Sequence, residues 1–68
     1  MTYTVIIEKT ANGYSAYLPD LPGCVAAADT REETEALIQQ VVTGYLDMLR
    51  SNGEPVPESL TTSGTVVV

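Results

Sequence analysis

Tyr14–Arg50, YSAYLPDLPGCVAAADTREETEALIQQVVTGYLDMLR, holds a strand, a proline-bounded corner, a second strand and a helix in one run. In YSAYL the side chains alternate, so Tyr14, Ala16 and Leu18 share one face and Ser15 and Tyr17 the other. Pro19 and Pro22 lack backbone donors, which excludes PDLPG (19–23) from a strand interior, and Pro22-Gly23 fits the central pair of a type II turn. CVAAA (24–28) is a strand of small side chains, suited to a helix packing closely over it. Thr30 is placed as N-cap with Glu33 three residues on, a capping box. Glu32, Glu33 and Glu35 crowd the positive end of the helix dipole. Arg50 sits in the last turn and Asn52-Gly53 ends the helix. These signals predict a helix over about 31–51, roughly 30 Å long.

Outward from this stretch, TYTVIIEK (2–9) places Tyr3, Val5 and Ile7 on one side, with a breach at Ile6, and reads as a first strand over about 2–9. Asn12-Gly13 is a hairpin signal, because both residues tolerate positive φ. GEPVPESL (53–60) reads as a surface linker. The tail TTSGTVVV ends in three valines, and an apolar tail left free invites aggregation, so about 62–68 is expected to dock as a last strand on the sheet or on a neighbour. The order is β-β-β-α-β, an α+β fold with one long helix on an antiparallel sheet, in a single domain over 1–68.

The helix carries two adjacent apolar rows, Leu37–Val41–Tyr45 with Met48 and Ile38–Val42–Leu46 with Leu49. The stripe is wider than a small sheet requires. Leu46 and Met48, with Val66 and Val67 of the tail, are therefore the candidate oligomer interface. Size points the same way. A chain of 68 residues buries only about 60% of its unfolded surface. One cysteine, Cys24, allows no internal disulfide, and with no histidine there is no thiolate–imidazole zinc site. Association, into a dimer or tetramer, is the remaining supplement.

Nine acidic residues against three basic ones give a net charge of −6. Such a surface disfavours direct nucleic-acid binding and attracts a basic partner. Met1 is followed by polar residues and no apolar run approaches a membrane span, so a soluble, cytoplasmic protein is expected. The lack of histidine removes Ser-His-Asp and Cys-His catalysis. Cys24 reads as a half-buried structural thiol. No glycine-rich nucleotide motif occurs. One enzymatic arrangement is conceivable: Glu8, Asp20 and Asp29 converging on a divalent ion for nuclease chemistry. The expectation is instead a binding protein, without cofactor or metal.

Tyr17-Leu18-Pro19-Asp20-Leu21-Pro22-Gly23-Cys24, followed by Asp29-Thr30 and Glu32-Glu33, resembles the HicB family, the antitoxins of HicAB toxin–antitoxin pairs. The match runs from about Glu8 to Glu58. The chain departs from the family pattern at Ala28, where glycine usually precedes Asp-Thr, and at Thr34, where alanine usually follows Glu-Glu. Many members continue into a DNA-binding domain, and no basic segment of that kind is present here. The resemblance implies a partial RNase H-like fold without nuclease activity. It also implies a small basic HicA-like partner, an mRNA-cleaving toxin that the antitoxin covers. Tyr14 and Tyr17 as aromatic anchors, Asp20 and Leu21 on the rigid corner, and Glu32, Glu33 and Glu35 at the helix start are the candidate contacts. A homo-oligomeric binding protein with no toxin partner is the alternative.

Overall fold

The structure, a computed structural model, describes residues 2–68. Its elements are β1 (Ile6–Thr10), β2 (Gly13–Leu18), β3 (Leu21–Ala28) and α1 (Arg31–Ser51). The strands form one antiparallel sheet in the order β1-β2-β3, with α1 lying over β3 and β2. The expected α+β arrangement is thus observed.

The β1–β2 hairpin forms where Asn12-Gly13 signals it, but its loop is Ala11-Asn12, because Gly13 already pairs with Thr10. No residue other than glycine has positive φ among the described residues. Gly13 is required by proximity instead: a Cβ there would collide with the carbonyl oxygen of Ala28 across the sheet.

β1 starts at Ile6 rather than Thr2. Its partner β2 ends at Leu18, and Tyr17, opposite Ile6, is the last residue in register. Residues 2–5 turn to the C-terminal segment instead. The Tyr3 hydroxyl donates to the carbonyl of Pro57, and Thr4 Oγ1 donates to the carbonyl of Thr61 at 2.8 Å.

β3 starts at Leu21, not Cys24, and includes Pro22 and Gly23. Two features admit the proline. β3 is an edge strand, and the register shifts between Tyr17 and Leu18, the settings in which a sheet tolerates proline. The corner is therefore Pro19-Asp20. Gly23 has no positive φ, so the type II turn expected at Pro22-Gly23 does not form.

The helix matches its signals residue for residue. Thr30 Oγ1 accepts from the Glu33 amide at 3.1 Å and donates to Glu33 Oε1 at 2.9 Å. At the other end Gly53, at φ 70°, closes a Schellman motif: its amide reaches the Arg50 carbonyl at 3.1 Å, and that of Glu54 reaches Leu49 at 2.8 Å. Thr34, where the family pattern leads one to expect alanine, is wholly buried, and its hydroxyl donates to the Thr30 carbonyl at 2.8 Å. The extra oxygen is thereby satisfied inside the core.

Ala16, Leu18, Leu21, Cys24 and Ile38 form the core. Cys24 is fully rather than half buried, and desolvation raises its thiol pKa, the opposite of what a reactive thiolate needs. The expected last strand does not form within the described residues. Residues 62–68 are irregular, and Val67 is 96% exposed.

Candidate partner-binding site

The sheet has two faces, and only one is covered. Cross-strand partners share a face, so Ile7, Ala16 and Ala26 form one row and Ile6, Tyr17 and Val25 form the next, pointing the opposite way. The first row lies under α1. The second lies on the open face, where Tyr17 is 40% and Val25 is 63% exposed. Glu8, Ser15 and Ala27 make a parallel row on that face. Ser15, Tyr17, Val25 and Ala27 line a shallow apolar depression there. The breach of alternation at Ile6 is the sequence signal for this face: Ile6 belongs to a second apolar surface.

The candidate residues fall in different places. Tyr17 is at the centre of the open face. Tyr14 is on the helix-facing side, opposite Ala28, and partly buried, so the two tyrosines do not form one anchor. Leu21 is 0% exposed; its side chain belongs to the core and offers no surface in this chain. Glu32, Glu33 and Glu35 are exposed at the helix start, but Glu33 holds the Thr30 cap and Glu35 pairs with Arg31 at 2.8 Å. Of the oligomer candidates, Leu46 packs against the core, whereas Met48, Val66 and Val67 are exposed. Ile6 and Val25, which alternation along their strands marks, share this open face with Tyr17.

Asp20 is engaged within its own chain. Its Oδ2 accepts from the amides of Leu60 at 3.0 Å and Thr61 at 2.9 Å, and its Oδ1 accepts from Thr61 Oγ1 at 2.7 Å. It thus pins the C-terminal segment to the β2–β3 corner. The Thr61 amide and hydroxyl, with the Leu60 amide, hold its pKa below the ordinary 3.8 against an opposing desolvation. Because the folded-state value is depressed, this contribution is complete above pH 3.8 and lost as pH falls through the folded-state pKa. Asp20→Asn is accordingly expected to melt below the parent at pH 7, with the gap closing under acid. A gap of the same size at every pH would show that the carboxylate charge is not the cause.

Glu8, Asp20 and Asp29 are not gathered. Glu8 is on the open face, Asp20 is engaged with Thr61, and among the described residues no group of three or more His, Cys, Asp or Glu is placed to hold a metal ion. Nor is any helix long and apolar enough to cross a membrane among the described residues.

These features define a small α+β module that presents an apolar sheet face within an acidic surface. Comparison with known proteins is specific. The model of the HicB-like antitoxins of bacterial toxin–antitoxin systems matches residues 3–66. A UPF0150-family protein of Thermoplasma acidophilum is 36% identical over 58 residues, 84% of each chain. Another, from Synechocystis, is 39% identical over 57 residues, 82% of this chain and 72% of that one. An uncharacterised 14.9 kDa protein of Haemophilus phage HP1 is 32% identical over 87% of this chain, which spans only 44% of the phage protein. No solved structure matches. The chain belongs to the HicB-like antitoxin family.

Proposed function

We propose that this chain is an antitoxin that binds and neutralises a small basic HicA-like mRNA-cleaving toxin, and that it acts by covering rather than by catalysis. Family membership supports the antitoxin role. The observation that carries the docking site is the uncovered Ile6–Tyr17–Val25 row, flanked by Glu8, in a chain of net charge −6. An apolar centre with an exposed aromatic supplies affinity, and the surrounding negative charge steers a basic partner. The exposed acids of the helix start, Glu32 above all, extend that field. The order of three antiparallel strands and a helix supports the partial RNase H-like reading of the fold. A toxin that cuts mRNA places the pair in the cytoplasm.

The test is co-expression with the small basic product of the adjacent gene, followed by capture and an RNA cleavage assay. A stable complex with cleavage abolished is the expected result; free, active toxin in the presence of this chain would sink the reading. A homo-oligomer without a toxin is the second reading, favoured by the exposure of Leu37 and Met48 on one flank of α1. It expects self-association and no captured partner.

A further inference from the structure

α1 lies over β3 and β2 and leaves the helix-facing side of β1 partly open. The result is an open groove of about 950 Å³ between β1 and the helix, lined by apolar Val5, Ile7, Leu18, Val42 and Leu46 and, towards the helix start, by charged Arg31, Glu32 and Glu35. β1 is also a sheet edge, paired on one side only, so its outer backbone groups are available to another strand.

The same chain carries a segment suited to that groove. Ser59–Val68 contains no charged side chain. Thr61 is fixed by Asp20 and Thr4, and beyond it Val66, Val67 and Val68 stand clear of their own groove, 87–117% exposed. Three consecutive valines have high strand propensity. Seven residues past Thr61 reach at most about 24 Å, enough to run the roughly 17 Å length of β1.

We propose that this groove is the seat of the Thr65–Val68 segment of a second copy, added as a strand to the β1 edge, with the exchange made reciprocally. A two-fold pair of this kind fills both grooves and covers both β1 edges and both valine tails in one closed contact. The face bearing Tyr17 stays free, so the exchange leaves the proposed toxin-docking row open.

Two variants of the full chain test it. In Val5→Cys/Val67→Cys, mild oxidation is expected to give covalent dimers in which peptide mass spectrometry maps bridges between positions 5 and 67. The native Cys24 is wholly buried and does not compete. A 5–67 bridge within one chain would mean that the tail fills its own groove. Bridges only between two copies of position 67, or none, would also overturn the exchange. In Val67→Asp, the mass by light scattering is expected to fall from about twice 7.3 kDa to the single-chain value, with the circular dichroism spectrum kept. An unchanged dimer mass would overturn the proposal.

Discussion

Leu21→Ala is expected to lower the stability of this protein by about 3 kcal/mol, the cost of truncating a fully buried leucine with the cavity it leaves. Leu21 is 0% exposed and stands where the chain leaves the Pro19-Asp20 corner to enter β3. It packs in one cluster with Leu18, Cys24 and Ile38, so it ties both strands at that corner to the helix. For a chain this small, total stability is roughly 3–10 kcal/mol, and the loss corresponds to a fall of about 15 °C in melting temperature. Leu60→Ala is the control. That side chain is 74% exposed, and its removal should change stability by less than about 0.5 kcal/mol. Thermal melts followed by circular dichroism decide the matter. If Leu21→Ala melts within a few degrees of the parent, the corner is not anchored through this side chain.

Tyr17→Ala is expected to weaken toxin binding by about 30-fold or more, corresponding to the ~2 kcal/mol typical of an aromatic hot spot. The ring sits between Ile6 and Val25 on the uncovered face, so stability should fall by no more than about 1 kcal/mol, the span of strand propensities. Tyr14→Phe is the comparison, since Tyr14 faces the helix side and keeps its packing without the hydroxyl. Its affinity should match the parent. Titration calorimetry against the purified toxin gives both numbers. If Tyr17→Ala binds within threefold of the parent, the open face is not the docking surface, and the helix start with Glu32 becomes the site to mutate.

Local signals were legible where local chemistry decides the outcome. Thr30 and Glu33 fix the helix start by hydrogen bonds within one turn, and Asn52-Gly53 fix its end in the same way. The faces of β2 follow from alternation alone. The strand limits were less legible, because they depend on who pairs with whom. β1 loses residues 2–5 since its register with β2 ends at the Ile6–Tyr17 pair, beyond which β2 shifts register at Leu18. β3 gains Leu21–Gly23 because an edge strand tolerates a proline that an interior strand excludes.

The site divides along the same line. The sequence by itself determined the element order as far as the helix, the separation of Tyr14 from Tyr17, the acidic surface and the family motif, all carried by spacing or composition. Only the tertiary structure decided that Leu21 is core, that Asp20 holds Thr61 across forty-one residues of chain, and that α1 sits off β1 and leaves a groove there. It also decided that the valine tail stays outside its own sheet. Each of these rests on contacts between residues distant in sequence, and the position of the helix across the sheet selects among them in a way no local pattern encodes.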